Sequence, residues 1–202
     1  MNKKTATGIK VGLIILNAIL LYILYDSINK PIRFKEIRSE RHEVVKNRLM
    51  EIRELQVAYK NETGEYADNF DMLFAYADTG YVKIEERKDS SFMYFDEVYQ
   101  TELERDTIIV RVIDQVPVVK HLFGEGFNLE KLRFVPFTNR QVEFEMQSSF
   151  VYRAESRLPT MEIIAYDVDI LADLEDAYGI LFDYDYRLQI GNIAEPNISG
   201  NW

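Results

Sequence analysis

Seven carboxylates crowd the stretch from 167 to 185: Asp167, Asp169, Asp173, Glu175, Asp176, Asp183 and Asp185. Carboxylate oxygens are the ligands of Ca2+, which takes six to eight of them. Metal chemistry would therefore sit here, with Asp167, Asp169, Asp183 and Asp185 as candidate ligands. The spacing is not that of an EF-hand loop. On a strand, Asp183 and Asp185 share one face, opposite Phe182, Tyr184 and Tyr186. The plainer reading is a solvated acidic edge that blocks edge-to-edge pairing, or a face for a basic partner protein. The two histidines, His42 and His121, have no neighbours that complete a triad and are expected at the surface. The sequence has no GxSxG, no HExxH and no phosphate-binding loop, and Gly124-x-Gly126 is too short for one. It has no Cys, which excludes disulfides and thiolate metal sites. No catalytic residue and no cofactor is assigned, apart from the Ca2+ alternative at the acidic cluster.

The charge is divided along the chain. The whole carries −10, with a net of +4 over Lys30–Lys60 and −16 over Asn61–Trp202. An acidic head is a poor match for a phosphate backbone, so nucleic acid is not expected as a partner. Thirteen Tyr and twelve Phe supply the apolar mass of a folded domain.

These residues must be carried by something, and Val11–Tyr25 decides what. The run VGLIILNAILLYILY is apolar apart from Asn17. From Ile9 to Ile28 it covers the roughly 20 residues that span a hydrocarbon core. A basic tail, residues 1–8, precedes it, and no small-x-small cleavage site follows. An uncleaved helix over 9–28 in the lipid bilayer of an inner membrane is expected. Lys30, Arg33, Lys35, Arg38 and Arg41 outnumber Lys3, Lys4 and Lys10, which by the positive-inside count places the head in the cytoplasm. The short basic tail, and the ease with which long domains translocate, favour an extracytoplasmic head, and that is the expectation. Gly8-xxx-Gly12 and Asn17 are candidates for helix association and hence for a homo-oligomer.

Pro31 predicts a break or kink. A second helix is expected over Phe34–Asn61, with Ile37, Val44, Val45, Leu49, Ile52, Leu55 and Tyr59 as one apolar stripe packing against the C-terminal domain. Gly64 ends it. Asp68 is expected to cap a short helix that closes at Gly80, so residues 30–80 form a stalk with a helical hairpin.

This plan, an anchored helix running into a soluble domain, resembles the type IV pilins and pseudopilins. The resemblance covers about the first 75 residues. It is carried by MNKKTATG, which is similar to a short prepilin leader ending in Gly8, by Ile52–Lys60, and by Gly64-Glu65-Tyr66 with Phe70 and Leu73. Pilins carry Glu at the fifth mature position, where this chain has Leu13, and Lys10 follows Ile9 directly. The resemblance implies leader cleavage after Gly8 and polymerisation through the N-terminal helix. The same segment also resembles uncharacterised single-pass envelope proteins of Gram-negative bacteria, which implies no activity.

Residues 81–202 read as an α+β head, a small antiparallel sheet or sandwich. Alternation at Tyr81–Glu85, a turn at Lys88–Ser90 and a strand at Phe92–Phe95 precede a turn at Glu104–Asp106 and a β-branched strand at Thr107–Val112. An edge strand is expected over Val116–Phe123 and further strands over Arg133–Phe137, Gln141–Met146, Met161–Tyr166 and Leu181–Ile190. Val142, Phe144 and Met146 point inward. One helix is expected over Ile170–Tyr178. Trp202 is expected to pin the tail to the head. The function expected is that of a non-enzymatic, membrane-anchored, protein-binding component of a secretion, pilus-like or surface assembly. The alternatives are a polymerising pseudopilin-like subunit and a metal enzyme built on the acidic cluster.

Overall fold

The computed structural model describes residues 3–96 and 101–202; the side chains of residues 3–9 and of Glu85, Asp96, Leu103 and Arg105 fall outside that description. One helix, α1, runs from Lys3 to Thr63. Its first half is apolar and exposed, and among the described residues it is the one helix long and apolar enough to cross a membrane. The break expected at Pro31 is absent, and the helix continues through it. Pro31 removes only the hydrogen bond to the carbonyl four residues back. From Phe34 onward the helix is held by the head, which offsets that loss. Val45, Leu49, Ile52 and Leu55 are all fully buried on one face, each contributing about 2 kcal/mol of apolar burial. The expected stripe therefore packs on the head, with two corrections. Val44 points to solvent, and His42 and Gln56 take buried places on the seam.

Gly64, at φ +87°, ends α1, its N–H donating to the Lys60 carbonyl at 2.7 Å. Helix α2, Phe70–Thr79, follows. Its cap is Asn69, whose Oδ1 accepts from the Met72 N–H at 2.9 Å; Asp68, the expected cap, accepts from the Ser148 hydroxyl instead. Gly80 closes α2 by donating to the Tyr76 carbonyl.

Two antiparallel sheets follow. Strands β1, Tyr81–Asp96, and β2, Thr101–Pro117, form a two-stranded hairpin by themselves. Neither expected turn, at Lys88–Ser90 or Glu104–Asp106, interrupts them, because each of those residues has a partner in one continuous register. Pro117 ends β2, and the apolar run after it is helix α3, Val118–Phe123, not an edge strand. A helical turn, α4, Glu130–Arg133, stands where the next strand was expected to begin, leaving a single bridge from Phe134 to Glu143.

The second sheet is a four-stranded meander: β3 Glu145–Arg153, β4 Ser156–Tyr166, β5 Arg187–Asn192 and β6 Asn197–Gly200, in that order. Phe144 is buried, Val142 and Met146 pack against the core, and Glu143 and Glu145 are exposed, as the alternation predicts. Between β4 and β5 the chain makes short helices α5, Asp167–Ile170, and α6, Glu175–Tyr178, with 3-10 turns at Ala172–Leu174 and Gly179–Leu181. The expected single helix is thus broken. The expected strand from Leu181 begins only at Arg187, and β6 is an addition. At Gly191, φ +79°, a Cβ would fall 2.2 Å from the Met161 carbonyl oxygen. Only glycine therefore fits this irregular step between β5 and β6.

The core is one cluster from α1, α2, α4, β4, β5 and the α5 turn, with Leu49, Ile52, Leu73, Leu132, Met161, Ile163, Ile170 and Leu188 fully buried. Strand β4 runs back along α1 toward the apolar end. Near its start Arg157 pairs with Glu65, just past α1; beyond its end Asp167 meets Arg38. The head therefore has a near end, beside the apolar segment, and a far end, where the hairpin emerges.

Candidate functional site

The acidic cluster is divided between two tasks. Asp167, 1% exposed, begins α5 and faces α1. His42 Nε2 lies 2.6 Å from its Oδ1, and Arg38 Nη2 lies 2.7 Å from its Oδ2 without an aligned N–H. Tyr186 stacks on the His42 ring and under the Arg38 guanidinium. One turn along α1, Arg41 donates to Asp173 at 2.8 Å and to the Ile170 carbonyl. The hydrogen bonds from Arg41 hold the Asp173 carboxyl below its ordinary range. Burial, helped by Glu145, pushes Asp169 above it. His42, expected at the surface, is thus a buried member of a clamp joining stalk to head.

Asp183 and Asp185 do not share a strand face. They lie in a turn, where Asp183 Oδ1 accepts from the Asp185 N–H at 3.3 Å. Among the described residues no group of three or more His, Asp or Glu is arranged to hold a metal ion. Of the anchor residues, Gly12 has open space where a Cβ would stand, and Asn17 donates to the Leu13 carbonyl of its own helix at 3.1 Å. The leader and the Gly8 side of the small-residue pair lie outside the residues whose surroundings are described.

The hairpin is the feature that the sequence did not announce. It is anchored at its base, where Lys83 pairs with Glu62 and the Val118 N–H donates to the Gly80 carbonyl. Beyond that base it is exposed on both faces. Paired residues share a face, so the register puts Phe92, Tyr94 and Ile109 on one side and Met93, Phe95, Ile108 and Val110 on the other. All seven are exposed, Ile108 at 60%. Among the described residues, the outer edges of β1 and β2 pair with no third strand. The signal for it is the β-branched run Thr107–Val112, which by itself reads as one short strand of a sheet. Against the base, α1, α2 and β1 enclose an open cleft of about 850 Å³, lined in part by Arg53, Tyr76, Tyr81 and His121. Tyr76 donates to the Ala58 carbonyl, and burial, then Glu62, pushes its hydroxyl upward.

An isolated two-stranded hairpin is marginal in water, and exposed edges with apolar faces are a template for pairing with another chain. The two strands hold 16 and 17 residues, as many as one side of a standard protein interface, about 20–30. The arrangement is suited to binding, by strand addition or by face contact. No family model, curated protein or solved structure matches this chain.

Proposed function

We propose that the protein is a single-pass membrane protein that works by binding another protein through its β1–β2 arm, as a non-enzymatic component of an envelope assembly of the secretion, pilus-like or surface type. The observation that carries this is the arm itself: two strands of 16 and 17 residues that, beyond their base, present Phe92, Met93, Tyr94, Phe95, Ile108, Ile109 and Val110 to solvent. The exposed apolar half of α1 supports anchoring. In this reading the N-terminus is cytoplasmic and the head lies outside the inner membrane, with protein partners there. The acidic balance of the head fits a partner with a basic face. The test removes the arm by joining Ile84 to Asp114 through Asn-Gly, a tight hairpin turn. In mild detergent, membranes of cells that make the intact chain should release it in a complex larger than the chain itself. The armless chain should run as the lone subunit. Equal sizes for the two would overturn the reading.

A pseudopilin-like subunit is the second reading. It is favoured by one long helix whose exposed first half continues into a half packed on a four-stranded antiparallel sheet. Leader cleavage after Gly8, leaving Ile9 as the N-terminus, would support it; an intact N-terminus would oppose it.

A further inference from the structure

The apolar run of α1 ends at Ile28, and α1 is continuous beyond it. At about 1.5 Å per residue, Phe34 stands roughly 9 Å past Ile28, at the depth of lipid headgroups if the run is in the bilayer. The head packs on α1 at this level. Phe34 is buried between Tyr178 and Phe182, its ring centroid 5.6 Å from one and 5.7 Å from the other. Lys30 Nζ lies 5.8 Å over the Tyr178 ring. Asp176 and Tyr178 share a shallow crevice with Tyr25, Asn29 and Arg33. Between the two residues that grip Phe34, the turn Gly179–Leu181 presents Ile180 at 92% exposure. Among the described residues this is the greatest exposure of any large apolar side chain.

We propose that this turn is a second membrane contact, in which Ile180 enters the interfacial layer of the bilayer that α1 crosses. The proposal rests on α1 as a membrane span. Lipid is the occupant because the grip on Phe34 fixes Ile180 beside the end of the apolar run, where the nearest apolar phase is the bilayer. Tyr25 and Tyr178 place amphipathic rings at the same depth, the setting in which such rings concentrate. Lys30 and Arg33 are offset by Asp26 and Asp176, which line the same crevice. Apolar burial therefore drives the contact, and anionic lipid is not required. A head touching the membrane at Ile180 and joined to α1 at Phe34 has its tilt fixed, and with it the direction of the arm at the opposite end.

The chain has no Cys, so single labels are clean. Leu20→Cys, Ile180→Cys and Glu155→Cys, each in the full chain, would carry an NBD fluorophore in phosphatidylcholine vesicles with and without nitroxide-labelled lipid. Glu155 lies in the β3–β4 turn, at the far end. The expected result is quenching of about twofold or more at positions 20 and 180 and almost none at 155. Quenching at 20 with position 180 matching 155 would overturn the contact and leave the span intact. No quenching at 20 would remove the span, and the contact with it.

Discussion

Nε2 of His42, on α1, lies 2.6 Å from Oδ1 of Asp167, at the start of α5. The two are 125 residues apart in the chain, and the contact holds the long helix and the head in one register. With Arg38 beside it, Asp167 is a buried carboxylate held by two groups of α1.

Replacing Asp167 with Asn keeps the volume and removes the charge. Arg38 and His42 then face each other across a buried site with no anion. Breaking such a pair is expected to cost about 3 kcal/mol. Urea denaturation of the full chain in detergent, followed by circular dichroism, measures it. A change within about 0.5 kcal/mol, the range of an ordinary surface substitution, would show that the clamp does not hold the head.

Gln56 makes a second polar joint. Its Nε2 donates to the Ala67 carbonyl and its Oε1 accepts from the Ala67 N–H, both at 2.9 Å. Gln56 is fully buried. Gln56→Leu leaves two backbone groups unpaired and is expected to cost about 2–4 kcal/mol. Amide exchange at Ala67 should rise in parallel, because that N–H loses its acceptor.

The Asp173–Arg41 pair makes a prediction about pH. Its hydrogen bonds lower the folded-state pKa of Asp173. The stabilisation is therefore present above the unfolded value, about 3.9, and is lost as pH falls through the lower folded value. The gap in urea midpoint between the native chain and Asp173→Asn should be constant above about pH 5 and should close in strongly acid solution. Asp169 works in the opposite sense. Burial raises its folded pKa, so its stabilisation is present below its ordinary value and is lost as pH rises through the raised one. Measuring the Asp173 pair as a difference between variants cancels this background.

The chain's plan was legible where one residue pattern dictated one answer. The apolar run, the stop at Gly64, the stop at Gly80 and the inward set Val142, Phe144 and Met146 all appear as the sequence implied. What could not be read depended on distant partners. Lys88-Asp89-Ser90 has the composition of a turn, yet pairing with Thr107, Ile108 and Ile109 keeps it extended. His42 looked like one more polar residue on a charged helix until Asp167 arrived from the far end of the chain. Val118–Phe123 is a short apolar run, for which helix and strand cannot be separated by period. Asp183 and Asp185 alternate as strand residues do, yet they precede β5, which begins only at Arg187 once the chain reaches its partner β4. The tail is held as expected, but by Asn201, which donates to the Arg187 carbonyl and exchanges hydrogen bonds with the Gln189 backbone. Trp202 itself stays half exposed under Lys46.

The arm contributes little to the fold it projects from. Joining Ile84 to Asp114 through Asn-Gly should change the stability of the head by no more than about 1 kcal/mol, since Phe92, Met93, Tyr94, Phe95, Ile108, Ile109, Val110, Val112 and Ile113, which it removes, are already exposed. A larger loss would mean that the hairpin is a support of the head and not an appendage.

The most direct measurement is a photo-crosslink from the arm in intact cells. A benzophenone amino acid at Ile108, compared with one at Glu155, would be irradiated in cells that make the protein. The account predicts a discrete adduct of one fixed mass from position 108 and none from 155. A mass twice that of the chain would identify the partner as a second copy, and any other fixed mass would identify a different protein. No adduct from position 108, or the same adducts from both positions, would contradict the claim that the arm is the binding element.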